Sequence, residues 1–233
     1  MSKKIIVTGG QGRFAKELKK LKTKYRFIFK SKRQLNILSN KSILDNIKKV
    51  KPKYVLHLAG LSRPMAIHDK KINESIDLNI IGTCNLVKAC SLKNIKIIFF
   101  STSYIYPGKK GNYKETDPVL PWNNYGWSKL GAEAAVQMYK NSLIIRACMT
   151  ERPFVHSHAF HNVKSNFIFH DEIAKILIKV INKKGVINIG GKPQSIYNFA
   201  KKYNNSVKKK KSFGKFPKKM DMNLKKLNKI LDK

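Results

Sequence analysis

The stretch from Lys3 to Ala15 constrains this chain more than any other. Ile5-Ile6-Val7 is a short apolar run of the kind that forms a buried strand. It meets a glycine-rich turn, Gly9-Gly10-Gln11-Gly12, and Phe14-Ala15-Lys16-Glu17-Leu18 then begins a helical pattern. Gly9 and Gly12 permit a tight turn and close backbone approach to a pyrophosphate resting at the helix start. Arg13 and Phe14 open that helix, and Ala15 is small enough to let helix and strand pack closely. The order strand, turn, helix predicts a dinucleotide-binding unit.

The remaining pattern extends this unit into a fold. Strands are predicted at 4–8, 25–29, 54–58, 95–101, 142–146 and 185–189. Helices are predicted at 13–21, 41–49, 72–92, 125–139, 171–181 and 195–203. Such alternation predicts an α/β protein, a Rossmann-like doubly wound parallel sheet covered on both faces. The lysine run Lys208-Lys209-Lys210-Lys211 reads as solvated or mobile, and the stretch 220–227 as a short terminal helix.

Tyr125 and Lys129 lie four residues apart, on one face of the predicted helix. A free phenol has a pKa of about 10. A neighbouring ammonium lowers it, making Tyr125 a proton donor and acceptor for a carbonyl/alcohol pair.

Together, Thr8-Gly9-x-x-Gly12-x-x-Ala15 and Tyr125-x-x-x-Lys129 resemble the extended short-chain dehydrogenase/reductase family. Val55-Leu56-His57-Leu58-Ala59-Gly60 is similar to that family's strand and cofactor edge, and Asn79 to its structural asparagine. Phe99 to Gly108 resembles the strand delivering the catalytic Ser/Thr, at Thr102. Dehydratases of the family place Asp-Glu after the threonine, where this chain has Ser103-Tyr104; fucose-synthase-like members carry cysteine at the Tyr104 position. The closest resemblance is to 4-keto-6-deoxysugar-nucleotide reductases of the dTDP-rhamnose type. It implies a Thr102, Tyr125, Lys129 triad reducing a keto group on a nucleotide-linked deoxysugar, for surface polysaccharide synthesis. Gly9, Gly12, Arg13, Phe14, Lys30, Arg33, Leu58, Ala59, Gly60, Asn79, Tyr125 and Lys129 would serve the cofactor. Thr102, Tyr104 and Arg152 would serve the substrate. A related epimerase or small-carbonyl reductase, or a non-catalytic NADP-binding regulatory subunit, remains open.

NAD binders usually end the second strand with an acid for the ribose hydroxyls. Phe29-Lys30-Ser31-Lys32-Arg33 has none, which favours NADP(H) over NAD(H). Residues 1–146 read as the NAD(P)-binding domain and 147–233 as a substrate lobe and basic tail, interleaved with it. That lobe is short: only Ala147 to Phe169 separates the fifth strand from the late helix. The expectation is a pocket partly missing or completed by a second subunit, with a homodimer as the implied assembly. His156, His158 and His161 lack the context of a metal site, and none is expected.

The net charge of +36 suggests a polyanion partner, yet only six of 49 basic residues are arginine. Base-reading sites favour arginine, and the lysines are scattered through every segment. Compositional drift explains them, with nonspecific polyanion adhesion at low salt but no specific nucleic acid. No apolar run reaches membrane-spanning length and a strand starts at once, so neither membrane nor signal peptide is expected. Cys84, Cys90 and Cys148 read as free thiols of a cytoplasmic protein.

Overall fold

Six apolar runs become the strands β1 (Lys3–Thr8), β2 (Tyr25–Phe29), β3 (Tyr54–His57), β4 (Lys96–Thr102), β5 (Ser142–Ala147) and β6 (Gly185–Ile189). The computed structural model describes residues 2–214 and 216–232. All neighbouring strands are parallel, in the order β2-β1-β3-β4-β5-β6. A parallel sheet is covered on both faces, so its strands are apolar throughout, and successive side chains alternate between faces. Ile5, Val7, Ile98, Phe100, Leu143 and Ile145 join one core, while Ile6, Ile97, Phe99 and Ile144 join the other.

The first core is closed by α1 (Arg13–Lys19), through Phe14 and Leu18, and by a late helix that supplies Ile173 and Leu177. The second is closed by α2 (Asn40–Val50), α3 (Gly82–Leu92) and α4 (Asn124–Gln137). The late helix is α5 (His170–Val180), followed by α6 (Ile196–Tyr203) and α7 (Lys225–Leu231). Ser39 caps α2 by accepting from the Ser42 N–H at 3.2 Å, and Asn123 caps α4 by accepting from the Gly126 N–H at 2.8 Å. Among the described residues no helix is long and apolar enough to cross a membrane.

The chain leaves β1 for β2 on one side of the sheet and returns to β3 on the other. That reversal opens a crevice at the carboxyl ends of β1 and β3, where open α/β sheets bind ligands. Across the sheet, Arg146 on β5 forms an ion pair with Glu133 on α4, both nearly inaccessible to solvent. Arg146 Nη1 also donates to Tyr106 Oη at 2.8 Å and to the Glu115 carbonyl at 2.9 Å.

Three expectations need correction. The helix expected at 72–92 is interrupted: an α-turn (Ile72–Ser75) leads into a π-helical segment (Ile76–Ile81) before α3. The wider π turn faces Asn79 inward, where its amide binds Leu61 and Ser128. Lys208–Lys210, read as solvated, expose their side chains, yet their backbone pairs in parallel with His158–Phe160. Finally, Met220 and Met222 are buried in extended segments, and the terminal helix begins only at Lys225. Met220 joins a small apolar lobe built from Phe154, Val163, Phe169, Ile196 and Phe199, with Tyr104 and Trp122 packed against it, while Met222 packs with Ile105, Tyr106 and Tyr113.

Candidate active site

The crevice deepens into a cavity of about 990 Å³. Gly9, Gly12, Arg13 and Phe14 form one wall, and Leu58, Ala59, Gly60 and Arg63 a second. Thr102, Tyr104, Tyr125 and Lys129 form a third. His156, His158 and Phe160 roof it together with Lys210 and Phe216 from much later in the chain. Residues of the short lobe and of the dinucleotide-binding half thus line one cavity within a single chain.

A run of hydrogen bonds with fixed direction joins the walls. Thr8 Oγ1 accepts the N–H groups of Leu58 (3.2 Å) and Ala59 (3.1 Å), so its own proton goes to His57 Nδ1 at 2.8 Å. His57 Nε2 then donates to Thr83 Oγ1 at 2.9 Å, whose proton goes to the Asn79 carbonyl at 2.6 Å. The imidazole is neutral in this arrangement, and burial, aided by the Lys129 charge, lowers its pKa to about 3. Asn79 continues the run, donating at 2.8 Å to Ser128 Oγ, which donates to the Tyr125 carbonyl at 2.8 Å.

Gly9 has φ +65°, and a Cβ there would lie 2.8 Å from the Ala59 nitrogen. Left-handed backbone costs a non-glycine residue roughly 1–2 kcal/mol, and the backbone contact adds to it. Gly9→Ala is expected to lower stability by at least about 2 kcal/mol in urea unfolding; an unchanged midpoint would contradict this tight packing of the loop.

Tyr125 packs against His68 (ring centroids 5.1 Å apart) and Tyr104 (5.9 Å). Burial raises its pKa, while the Thr102 side chain and the Arg63 charge pull it back. The sequence assigned that lowering to Lys129. Instead the Lys129 ammonium sits 4.1 Å from the centroid of the Phe99 ring, and desolvation, partly offset by Glu133, lowers its own pKa to about 7. The fixed cation acting on Tyr125 is Arg63, a residue the sequence reading passed over.

Four expected residues lie outside the cavity lining: Lys30, Arg33, Asn79 and Arg152. The Lys30 carbonyl accepts the Gly10 N–H at 2.8 Å, placing it behind the glycine loop, and Arg33 is exposed. Arg152 stacks 3.8 Å over Phe169 and reaches Asp171 and Glu172, each at 3.6 Å, bracing the start of α5. Ser101, Ser103, Cys148 and Glu151 were also passed over. The first three line the cavity, and the hydroxyls of Ser101 and Ser103 are buried without a protein partner. Among the described residues no group of three or more His, Cys, Asp or Glu side chains is placed to hold a metal ion.

Residues 3–167 match the family model described as RmlD substrate binding domain. The chain belongs to this family. A dTDP-4-dehydrorhamnose reductase from Aggregatibacter actinomycetemcomitans is 26% identical to the RmlD-family chain over 152 residues, 63% of this chain and 51% of that protein. Methionine adenosyltransferase 2 subunit beta from Pongo abelii is 29% identical over 103 residues, 44% of this chain and 30% of that protein. The chain thus spans about half the length of the first relative and under a third of the second. The solved dTDP-4-dehydrorhamnose reductase of Bacillus anthracis in complex with NADP superposes with a TM-score of 0.87 at 20% identity, covering 98% of this chain and 91% of that one. That likeness shows a shared Rossmann-like fold.

Proposed function

We propose that this protein is an NADP(H)-dependent reductase of a keto group on a nucleotide-linked 4-keto-6-deoxyhexose, serving surface polysaccharide synthesis. The observation that carries the reading is convergence: Thr102, Tyr125 and Lys129 share one cavity with the Gly9–Gly12 loop. The residues present suit a dinucleotide. Gly9, Gly12, Ala59 and Gly60 keep two walls free of bulky side chains, and about 990 Å³ sits at the upper end of small-molecule sites. Phe14 and Leu58 would flank the cofactor, and Arg13 would meet its phosphates.

When bound, the dihydronicotinamide supplies hydride to the substrate carbon. Tyr125 gives its phenolic proton to the carbonyl oxygen, and the Thr102 hydroxyl donates a hydrogen bond to the same atom. The Arg63 charge and the Thr102 hydroxyl would stabilise the phenolate left behind, and protonated Lys129 would hold the ribose. Tyr104 bounds the sugar, and the roof at His156 and Phe160 excludes water. The dTDP-4-dehydrorhamnose reductase matches support this chemistry, and the NADP in the Bacillus anthracis structure supports the cofactor class. Preference for NADP(H) rests on the absence of an acid after β2.

The reading predicts oxidation of NADPH by a dTDP-4-keto-6-deoxyhexose, faster than with the UDP or GDP analogue, followed by absorbance. A second reading, a non-catalytic NADP-binding subunit, has weaker support, from the match of 44% of this chain to a methionine adenosyltransferase subunit. NADPH binding without turnover on any of these substrates would select it.

A further inference from the structure

Glu151 follows the short strand Met149–Thr150 and holds two guanidiniums at once. Its Oε1 lies 3.3 Å from Arg13 Nε and its Oε2 2.7 Å from Arg63 Nη1. Both arginines line the catalytic cavity, one from the start of α1 and one from the loop after β3. The Arg63 charge also acts on the phenols of Tyr104 and Tyr125, and on His170 across the cavity. Arg63 thus stands between the reacting groups and the Arg13–Glu151 pair.

One carboxylate cannot neutralise two guanidiniums, so the cluster keeps an unbalanced positive charge in a half-buried place. Side-chain exposure is 32% at Arg63 and 22% at Glu151. With thirteen acids against 49 bases, a carboxylate shared by two arginines that line the catalytic cavity is a scarce resource placed beside it. Planar guanidiniums suit the paired oxygens of a carboxylate or a phosphate equally well. A diphosphate offers both more charge and more oxygens than Glu151 does.

We propose that Arg13 and Arg63 form a diphosphate clamp and that Glu151 is its internal counter-ion, displaced when a diphosphate ligand enters. This rests on the reading of the cavity as a nucleotide-sugar reductase site. Both ligands of that reaction carry a diphosphate, and the two sources are separable.

The test is calorimetric titration of the wild type, Glu151→Gln, Arg63→Gln and the double variant, near physiological salt to screen nonspecific adhesion. The probes are NADPH, dTDP and UDP, with thymidine and uridine as phosphate-free controls. Removing the counter-ion is expected to tighten a diphosphate ligand about fivefold to tenfold, and Arg63→Gln to weaken it about tenfold. In the Arg63→Gln background the gain from Glu151→Gln shrinks, and the nucleosides respond to neither change. Arg63→Lys, which keeps the charge, restores part of the loss. The pattern with NADPH alone assigns the clamp to the dinucleotide; with dTDP or UDP, to the sugar nucleotide. If NADPH shows it and neither nucleoside diphosphate binds the wild type, the clamp stands and the sugar-nucleotide reading falls. Glu151→Gln that leaves every diphosphate ligand unchanged or weakened, in a protein of normal melting temperature, overturns the proposal.

Discussion

Tyr125→Phe is expected to lower the turnover of the keto reduction about a thousandfold while NADPH binding stays within about twofold. A positioned general acid contributes roughly 10²–10⁴-fold, and phenylalanine keeps the ring packed on His68 and Tyr104 while deleting the hydroxyl that carries the proton. Stopped-flow measurement of NADPH oxidation beside a binding titration separates the two effects. A variant turning over at the normal rate would sink the assignment of Tyr125. The pH profile supplies a second reading of the same site. Burial raises the Tyr125 pKa, so the phenol stays protonated through neutrality and does not limit the reaction there. Lys129 differs, because its pKa is lowered to about 7. Its ammonium predominates below that value and is lost above it, so kcat/KM should fall as pH rises through about 7. A profile flat to about pH 9 would show that the ammonium is not required.

Arg146→Leu is expected to destabilise the protein by about 3–5 kcal/mol, the usual effect of breaking a buried ion pair from one side. Glu133 would be left charged at 1% side-chain exposure, with Oε2 already lacking a partner in the native protein. Tyr106 and the Glu115 carbonyl would lose their donor in the same change. Urea unfolding measures the loss, and Arg146→Leu combined with Glu133→Leu should recover part of it, since no buried charge then remains. A single variant within about 1 kcal/mol of the wild type would show that the pair is not structurally required. Activity carries a further mark. Glu133 lies one helical turn from Lys129 and raises its pKa. Freed from Arg146, it should move the descending limb of the pH profile upward.

The sheet was legible because each central strand is apolar on both faces. β2 and β6 lie at the positions that hydrophobic pattern alone indicates, and the glycine loop and the Tyr125–Lys129 pair follow from spacing. What stayed hidden depends on backbone geometry or on distant partners. Ile72 to Leu92 reads as one helix because a π turn shifts the register without changing composition, so the inward turn of Asn79 leaves no trace. The lysines at 208–210 report solvent at their side chains and say nothing of the strand their backbone joins. Arg63 carried a signal that was available. It is one of six arginines in a lysine-dominated chain, and four of those six form ion pairs with acids. Rarity of the planar cation marks the places where a fork of donors is needed.

The roof of the cavity has a consequence for how the protein comes into being. A ribosome delivers Thr102, Tyr125 and Lys129 together with β1 to β5, before the late helix α5 that closes the first core. Lys210 and Phe216 emerge much later, when the strand at Lys208–Lys210 can at last zip onto His158–Phe160. The reacting groups are therefore synthesised early and sheltered only at the end of synthesis. A nascent or clipped chain ending before Lys208 would keep every acid, base and glycine of the site and still leave its reaction exposed to water.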